Sequence, residues 1–274
     1  MSPVSTVGQV LEGIQAAKAG APAFRTNFFP AQSKLQGWIE HGELLEERRD
    51  QLVFFLRKDR DFWHLYFCAP DLATLQREIT ALPVLRADRV TVDLVGSEPD
   101  LDGLANVVEP AGFQRHARLL RLARPGGPAE RQATADGPEV RCADKSDCQA
   151  ILKLLECSFD RYADQLPMLY EVEAAVAGRQ VLAVKYEGTV AGLLFYETQG
   201  FTSTVRYWVV DQRFKSHRFG SALMRQYLAA QGAVRRFILW VTADNENALL
   251  KYRHYGYAPD GLIDHVLANK FIRS

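Results

Sequence analysis

The chain has 274 residues, 47% of them hydrophobic, with 33 Lys plus Arg balanced by 33 Asp plus Glu. That length suffices for two modest domains, and the apolar fraction is ordinary for a globular protein. The zero net charge argues against a general nucleic-acid binder, which needs a basic surplus. No apolar run approaches membrane-spanning length and residues 1–20 hold no signal-peptide core, so a cytoplasmic protein with no membrane partner is expected. Cys68, Cys142, Cys148 and Cys157 form no CxxC pair, so reduced thiols and no metal are expected.

In chain order, residues 1–23 are small and weakly amphipathic, and leave a loose leader or a first helix open. Residues 29–39 read as a helix with Pro30 near its first turn. Residues 51–57 and 61–67 are strands of a hairpin around Lys58-Asp59-Arg60. His64, in the aromatic second strand, reads as a structural histidine. Residues 71–82 are helical, with Leu72, Leu75, Ile79 and Leu82 on one side, and 89–95 are a strand. A short helix at 101–109 is ended by Pro110, and Gly112-Phe113 leads into a strand at 117–122. Residues 124–138 are rich in Pro, Gly and Ala and read as a linker.

The same order of elements then returns. A helical region at 145–177 precedes a hairpin of strands 181–186 and 190–196 around Glu187-Gly188-Thr189. A strand at 205–210, a helix from Phe219, a strand at 237–241 and a second helix follow, then Gly256-Tyr257 and a strand at 263–268. This repetition predicts a tandem duplication of one α/β unit, with domains at 1–124 and 139–274 joined by a linker at 125–138.

The chemistry-bearing residues lie in the second half. Arg213, Lys215 and Arg218 fall within six positions, and Gly220 stands at the start of the following helix. The first amides of a helix have no internal partners and carry partial positive charge, which suits phosphate oxygens. On spacing alone, a phosphate site and a solvated basic turn stand equal. Further on, Asp244 or Asn245 is a good helix N-cap, Asn245, Ala248 and Tyr252 share one helix face, and Gly256 is a good stop.

The stretch 210–223 resembles the acyl-CoA-binding motif of the GCN5-related N-acetyltransferases, Gln/Arg-x-x-Gly-x-Gly/Ala after a strand ending Val-Asp. Lys215 stands at the Gln/Arg position and Gly220 at the last, whereas Arg218 replaces the middle glycine. Residues 244–257 are similar to the family's Asn-x-x-Ala-x-x-x-Tyr-x-x-x-Gly-Phe/Tyr. The resemblance covers roughly the last half of the chain and is specific in combination. It implies an α/β (α+β) fold of two such domains in tandem, each a mixed, mostly antiparallel sheet flanked by helices.

It also implies acetyl-CoA as co-substrate and direct transfer of the acetyl group to a primary amine of a small molecule or peptide. On this resemblance Lys215, Ser216, His217, Arg218, Phe219, Gly220 and Ser221 hold the pyrophosphate. The backbone of Trp208, Val209 and Val210 pairs with the pantetheine arm, assisted by Asn245, and Tyr252 protonates the leaving thiolate. Glu197, on the neighbouring strand, is the best-placed carboxylate for a base, and a solvated strand-end residue is an equal reading of it; Asp264-His265 is a further candidate pair. A non-catalytic acyl-CoA-binding module, and an acyltransferase using a longer acyl-CoA or an acyl carrier protein, remain alternatives. The first half has Val108 where the second has Tyr252, and no basic glycine loop after its hairpin. It is therefore expected to be a degenerate copy that does not bind acyl-CoA, and the duplicated chain is expected to be a monomer.

Overall fold

A computed structural model of the protein describes residues 1–127 and 137–269, so residues 128–136 of the expected linker lie outside the described residues. The chain divides into two compact units, residues 1–119 with 261 onward, and residues 120–260.

In the first unit, Leu44–Arg49, Leu52–Asp59 and Phe62–Ala69 form an antiparallel run. Val90–Gly96 joins the last of these in parallel, with Trp63 opposite Val90 and His64 opposite Thr91. The hairpin strands are rich in aromatic and aliphatic residues, as a sheet buried on both faces requires. Helices Val7–Lys18 and Gln32–Glu40 cover one face, packing Val10, Leu35 and Trp38 against Phe55 and Tyr66. The helix Val7–Lys18 settles the open reading of residues 1–23: Thr6 caps it, its hydroxyl accepting from the Gln9 amide at 3.1 Å. The strand Leu44–Arg49, reading LLEERR, has no strand composition, and only its pairing with Leu52–Asp59 reveals it.

His64 is buried between two polar neighbours, with Nε2 3.1 Å from Asp59 Oδ2 and Nδ1 3.0 Å from Thr91 Oγ1. It is 1% exposed, and both partners are fully buried, so it is a structural histidine closed to any ligand. Beyond the His64–Thr91 pair, the Asn27 side chain lies between the two parallel strands. Its Nδ2 donates to the carbonyls of Leu65 (3.1 Å) and Asp93 (3.0 Å), and its Oδ1 accepts from the Phe67 amide (2.8 Å).

The final strand, Ala258–Asn269, runs antiparallel to Val90–Gly96, from Ile263 opposite Gly96 to Ala268 opposite Thr91. From Gly261 onward it counts with the first unit, whereas its place in the sequence suggested the second. An apolar strand pattern identifies a strand but not the edge it will pair with.

In the second unit, Val181–Tyr186, Thr189–Gln199 and Thr202–Val210 are antiparallel neighbours, and Arg236–Thr242 pairs with Thr202–Val210 in parallel. Glu187 and Gly188, both with positive φ (49° and 75°), make the tight turn of the first hairpin. Helices Cys148–Ser158 and Leu169–Ala177 pack Ile151, Leu155 and Val172 against Leu193, Phe195 and Tyr207. Helices Phe219–Ala230 and Glu246–His254 belong to a separate core with Leu194, Val205 and Leu239. Phe219, Leu223 and Tyr227, four apart, are all buried in it, as their spacing predicts.

Two irregularities position the site. The parallel pairing runs from Thr202–Arg236 to Val205–Leu239 and stops there, although the first strand continues to Val210. At the same level the antiparallel register slips, with Phe195 opposite Tyr207 but Tyr196 opposite Val205, so Arg206 is the extra residue of a β-bulge. A bulge twists the strand and re-aims its side chains, and bulges gather beside active sites.

Candidate active site

The loop after Val210 is built by Asp211. Its Oδ1 accepts from the Arg213 amide at 2.9 Å, and its carbonyl accepts from Phe214 N at 2.9 Å, starting a short 3-10 turn over Gln212–His217. Buried Phe214 anchors the turn, and Arg213 folds back on Asp211, with Nη2 2.6 Å from Oδ2. Lys215, Ser216, His217 and Arg218 are exposed. The His217 ring stacks on Phe219 at 5.2 Å.

Arg218 is the residue before the helix Phe219–Ala230 and takes a left-handed backbone, φ 59° and ψ 16°. This conformation favours glycine, the residue that the matching motif has at this position. The loop therefore keeps a glycine-like path with an arginine in it, at a cost of about 1–2 kcal/mol for an L-residue. Arg218→Gly trades that strain against the extra chain entropy of glycine, about 0.5–1 kcal/mol. Urea unfolding is expected to show a variant as stable as the parent or up to about 1 kcal/mol more so; a clear loss would mean that the Arg218 side chain holds the loop.

Gly220 packs closely beneath. A Cβ built there would lie 3.4 Å from Trp208 Cζ2 and 3.5 Å from Val210 Cγ2, which an alanine tolerates and a larger side chain does not. The Gly220 carbonyl accepts from Trp208 Nε1 at 3.1 Å, tying the helix start to the strand. The amides of Phe219, Gly220 and Ser221 belong to the helix's first turn, where no intrahelical acceptor exists.

Trp208 also meets Tyr252, ring centroids 5.5 Å apart. Tyr252 is 8% exposed, and burial, with the charge of Asp164 adding, pushes its phenol well above the ordinary tyrosine range. Its helix, Glu246–His254, is capped by Asn245, whose Oδ1 accepts from the Ala248 amide at 3.1 Å. That oxygen is thus committed to the cap, and the amide NH2 is the part of Asn245 able to serve a ligand. Gly256, at φ 80°, closes the helix in the left-handed conformation expected of a C-terminal stop.

On the other face of the bulge lies the segment between the first two helices of the unit. Asp160 Oδ1 accepts from the Tyr162 amide (2.8 Å), and Asp164 Oδ2 accepts from the Asp160 amide (2.8 Å). The Tyr207 hydroxyl, from the bulged strand, donates to the carbonyls of Gln165 (2.7 Å) and Asp164 (3.2 Å). It thereby holds Gln165 in a left-handed conformation, φ 46°. Burial pushes the Asp164 carboxyl up to about 6, with the Asp160 amide and the Arg206 guanidinium working against the shift. Arg206 Nε lies 3.8 Å from Glu197 Oε1.

Residues 148–257 match the sequence model of the acetyltransferase (GNAT) family. The chain contains a GNAT domain. Over its whole length the fold is similar to a tandem GNAT protein from the clavulanic acid biosynthesis pathway, at TM-score 0.64 and 14% identity, covering 100% of this chain and 98% of that one. GCN5-related N-acetyltransferases from Sphaerobacter thermophilus (TM-score 0.59, 14% identity, 98% of this chain and 94% of that one) and Kribbella flavida (0.57, 17%, 86% and 93%) are similar as well. At these identities the likeness is one of fold. No curated protein matches the sequence.

The GNAT domain thus brings Trp208, Gly220 and Tyr252 into one cluster beside the parting of the parallel strands, with Lys215 to Ser221 forming the loop and helix start at Gly220. It places Glu197 near the end of its strand with a side chain 34% exposed, 3.8 Å from Arg206 Nε. Asp264 and His265 belong to the first compact unit and not to the GNAT domain. Asp164 belongs to no motif in the sequence, and nothing local marks which aspartate of this segment the fold will draw against the sheet. Among the described residues, no group of three or more His, Cys, Asp or Glu is placed to hold a metal ion, and no helix is long and apolar enough to cross a membrane.

Proposed function

We propose that the GNAT domain transfers an acetyl group from acetyl-CoA to the primary amine of a small molecule or peptide, by direct attack in a ternary complex. The observation that carries this reading is the parting of the parallel strands after Val205–Leu239. Among the described residues it leaves the backbone of 206–210 without a parallel partner, at the start of a helix on one side and beside a buried tyrosine on the other. An extended pantetheine arm pairs with such an edge as an added strand would, through Trp208, Val209 and Val210. The amides of Phe219, Gly220 and Ser221 and the cations Lys215 and Arg218 suit the pyrophosphate. Acetyl-CoA supplies the activated acyl group; the chain's own task is to align it, keep the attacking nitrogen neutral and protonate the departing sulfur. Tyr252 is assigned the last step.

Around the bulged strand the carboxylates of Asp164, Glu171 and Glu197 all act on Arg206, an acidic surplus that favours an amine arriving as a cation. Calorimetric titration tests the donor. Acetyl-CoA and CoA are expected to bind with micromolar affinity, Gly220→Ala to retain that binding, and Gly220→Trp to abolish it. Absence of binding by the unaltered protein would overturn acetyl-CoA as donor and turn attention to an acylated carrier protein.

A further inference from the structure

The structure assigns the role of general base to Asp164, which no motif in the sequence marks. The assignment rests on the acyl-transfer reading above and adds the proton acceptor that reading lacks. Three features of the geometry point to it. First, the Asp164 loop is tied to the bulged strand at the level where the parallel strands part, through the Tyr207 hydroxyl on the carbonyls of Asp164 and Gln165. Second, among the described residues the carboxylate is held through Oδ2, which accepts from the Asp160 amide at 2.8 Å, and Oδ1 is the atom assigned to the substrate nitrogen. Third, Asp164 reaches electrostatically both Arg206 in the bulge and Tyr252 across the opened strands. Its charge therefore acts on the same site as the proposed acid.

Glu197 is the competing carboxylate. It lies against Arg206, with Nε 3.8 Å away, and its side chain is 34% exposed, so water reaches it freely. Asp164 is partly exposed as well, but its carboxyl lies deeper among protein atoms, and that desolvation pushes it up to about 6. A base near neutrality is ionised at working pH yet still basic enough to accept a proton from a nitrogen that has begun to bond.

The step balances without any further reactant. The arriving ammonium first releases one proton to water; the neutral amine nitrogen then bonds to the thioester carbonyl carbon and the carbon–sulfur bond breaks. One N–H proton passes to Asp164 Oδ1, and the Tyr252 hydroxyl proton passes to the sulfur. Asp164 then returns its proton through water to the tyrosinate, leaving an amide and a free thiol.

The test uses the full chain, acetyl-CoA and methylamine, a primary amine small enough for any acceptor cleft whose ammonium ionises near the ~10.4 of lysine, far above the limb sought, with thiol release as the readout. Asp164→Asn is expected to lower kcat/KM at least 100-fold and to bind acetyl-CoA as the parent does. The parent's kcat/KM is expected to rise with pH through a limb near 6 that Asp164→Asn lacks and Asp164→Glu restores. Folding is controlled by melting at pH 8. A carboxyl whose pKa is higher in the folded chain than in the unfolded one weakens folding as pH rises between about 4 and 6. The neutral asparagine is therefore expected to melt no lower than the parent at pH 8. A parent that is active beside an equally active Asp164→Asn, or a limb near 6 that persists in the variant, overturns the assignment. A parent that binds acetyl-CoA but releases no thiol overturns the transfer reading, and Asp164's role with it.

Discussion

Replacing Tyr252 by phenylalanine is expected to lower kcat by about 100-fold while leaving acetyl-CoA affinity within about twofold, as measured by steady-state thiol release and calorimetry. General acid catalysis contributes ~100- to 10,000-fold. The low end applies here because a thiolate, with a pKa near ~8.5, is already a tolerable leaving group. Burial raises the Tyr252 phenol above its ordinary value, so it stays protonated across the whole working range and gives no descending limb of its own below pH ~10. Phenylalanine keeps the ring contacts with Trp208 (5.5 Å) and Tyr257 (6.0 Å), so folding is expected to be unaffected. An unchanged kcat would remove Tyr252 from the chemistry and leave water to protonate the sulfur.

Much of this arrangement is legible in the sequence because it is carried by local rules. The face Phe219, Leu223 and Tyr227 follows from helical spacing, a cap at Asp244 or Asn245 from their short polar side chains, of which the fold uses Asn245, and the helix end at Gly256 from the left-handed backbone it must adopt. What escapes is what depends on a distant partner. The strand Leu44–Arg49 exists because Leu52–Asp59 pairs with it, and its own residues give no strand pattern. The final strand reads as apolar wherever it pairs, so its place beside Val90–Gly96 is not encoded locally. Asp164 looks like any loop aspartate until Tyr207, 43 positions away, ties its backbone to the sheet. Arg218 is the converse case: it breaks the motif by residue type yet keeps the motif's backbone conformation.

Asn27→Ala is expected to destabilise the first unit by on the order of 3 kcal/mol, since each buried backbone group left without its partner costs about 1–3 kcal/mol and entering water recovers part of that. In a thermal scan this corresponds to a fall of about 10 °C in the transition of that unit. The reason lies in how each unit treats the parting of its parallel strands. In the GNAT domain the strand edge beyond Val205 has no parallel partner among the described residues. In the first unit the parallel pairs end at His64–Thr91, and Asn27 takes up the Phe67 amide and the Leu65 and Asp93 carbonyls beyond them. One side-chain amide, with both a donor and an acceptor, does there what an extended ligand is proposed to do in the other unit. Only Pro70 and Asp71 connect the strand Phe62–Ala69 to its helix, too short a link for a phosphate loop, and Val108 has no proton to give. Removing Asn27 should therefore cost stability without creating a second donor site. Calorimetry is expected to give one acetyl-CoA per chain for both the parent and Asn27→Ala, and a stoichiometry of two in either protein would mean that the first unit has kept a working cleft.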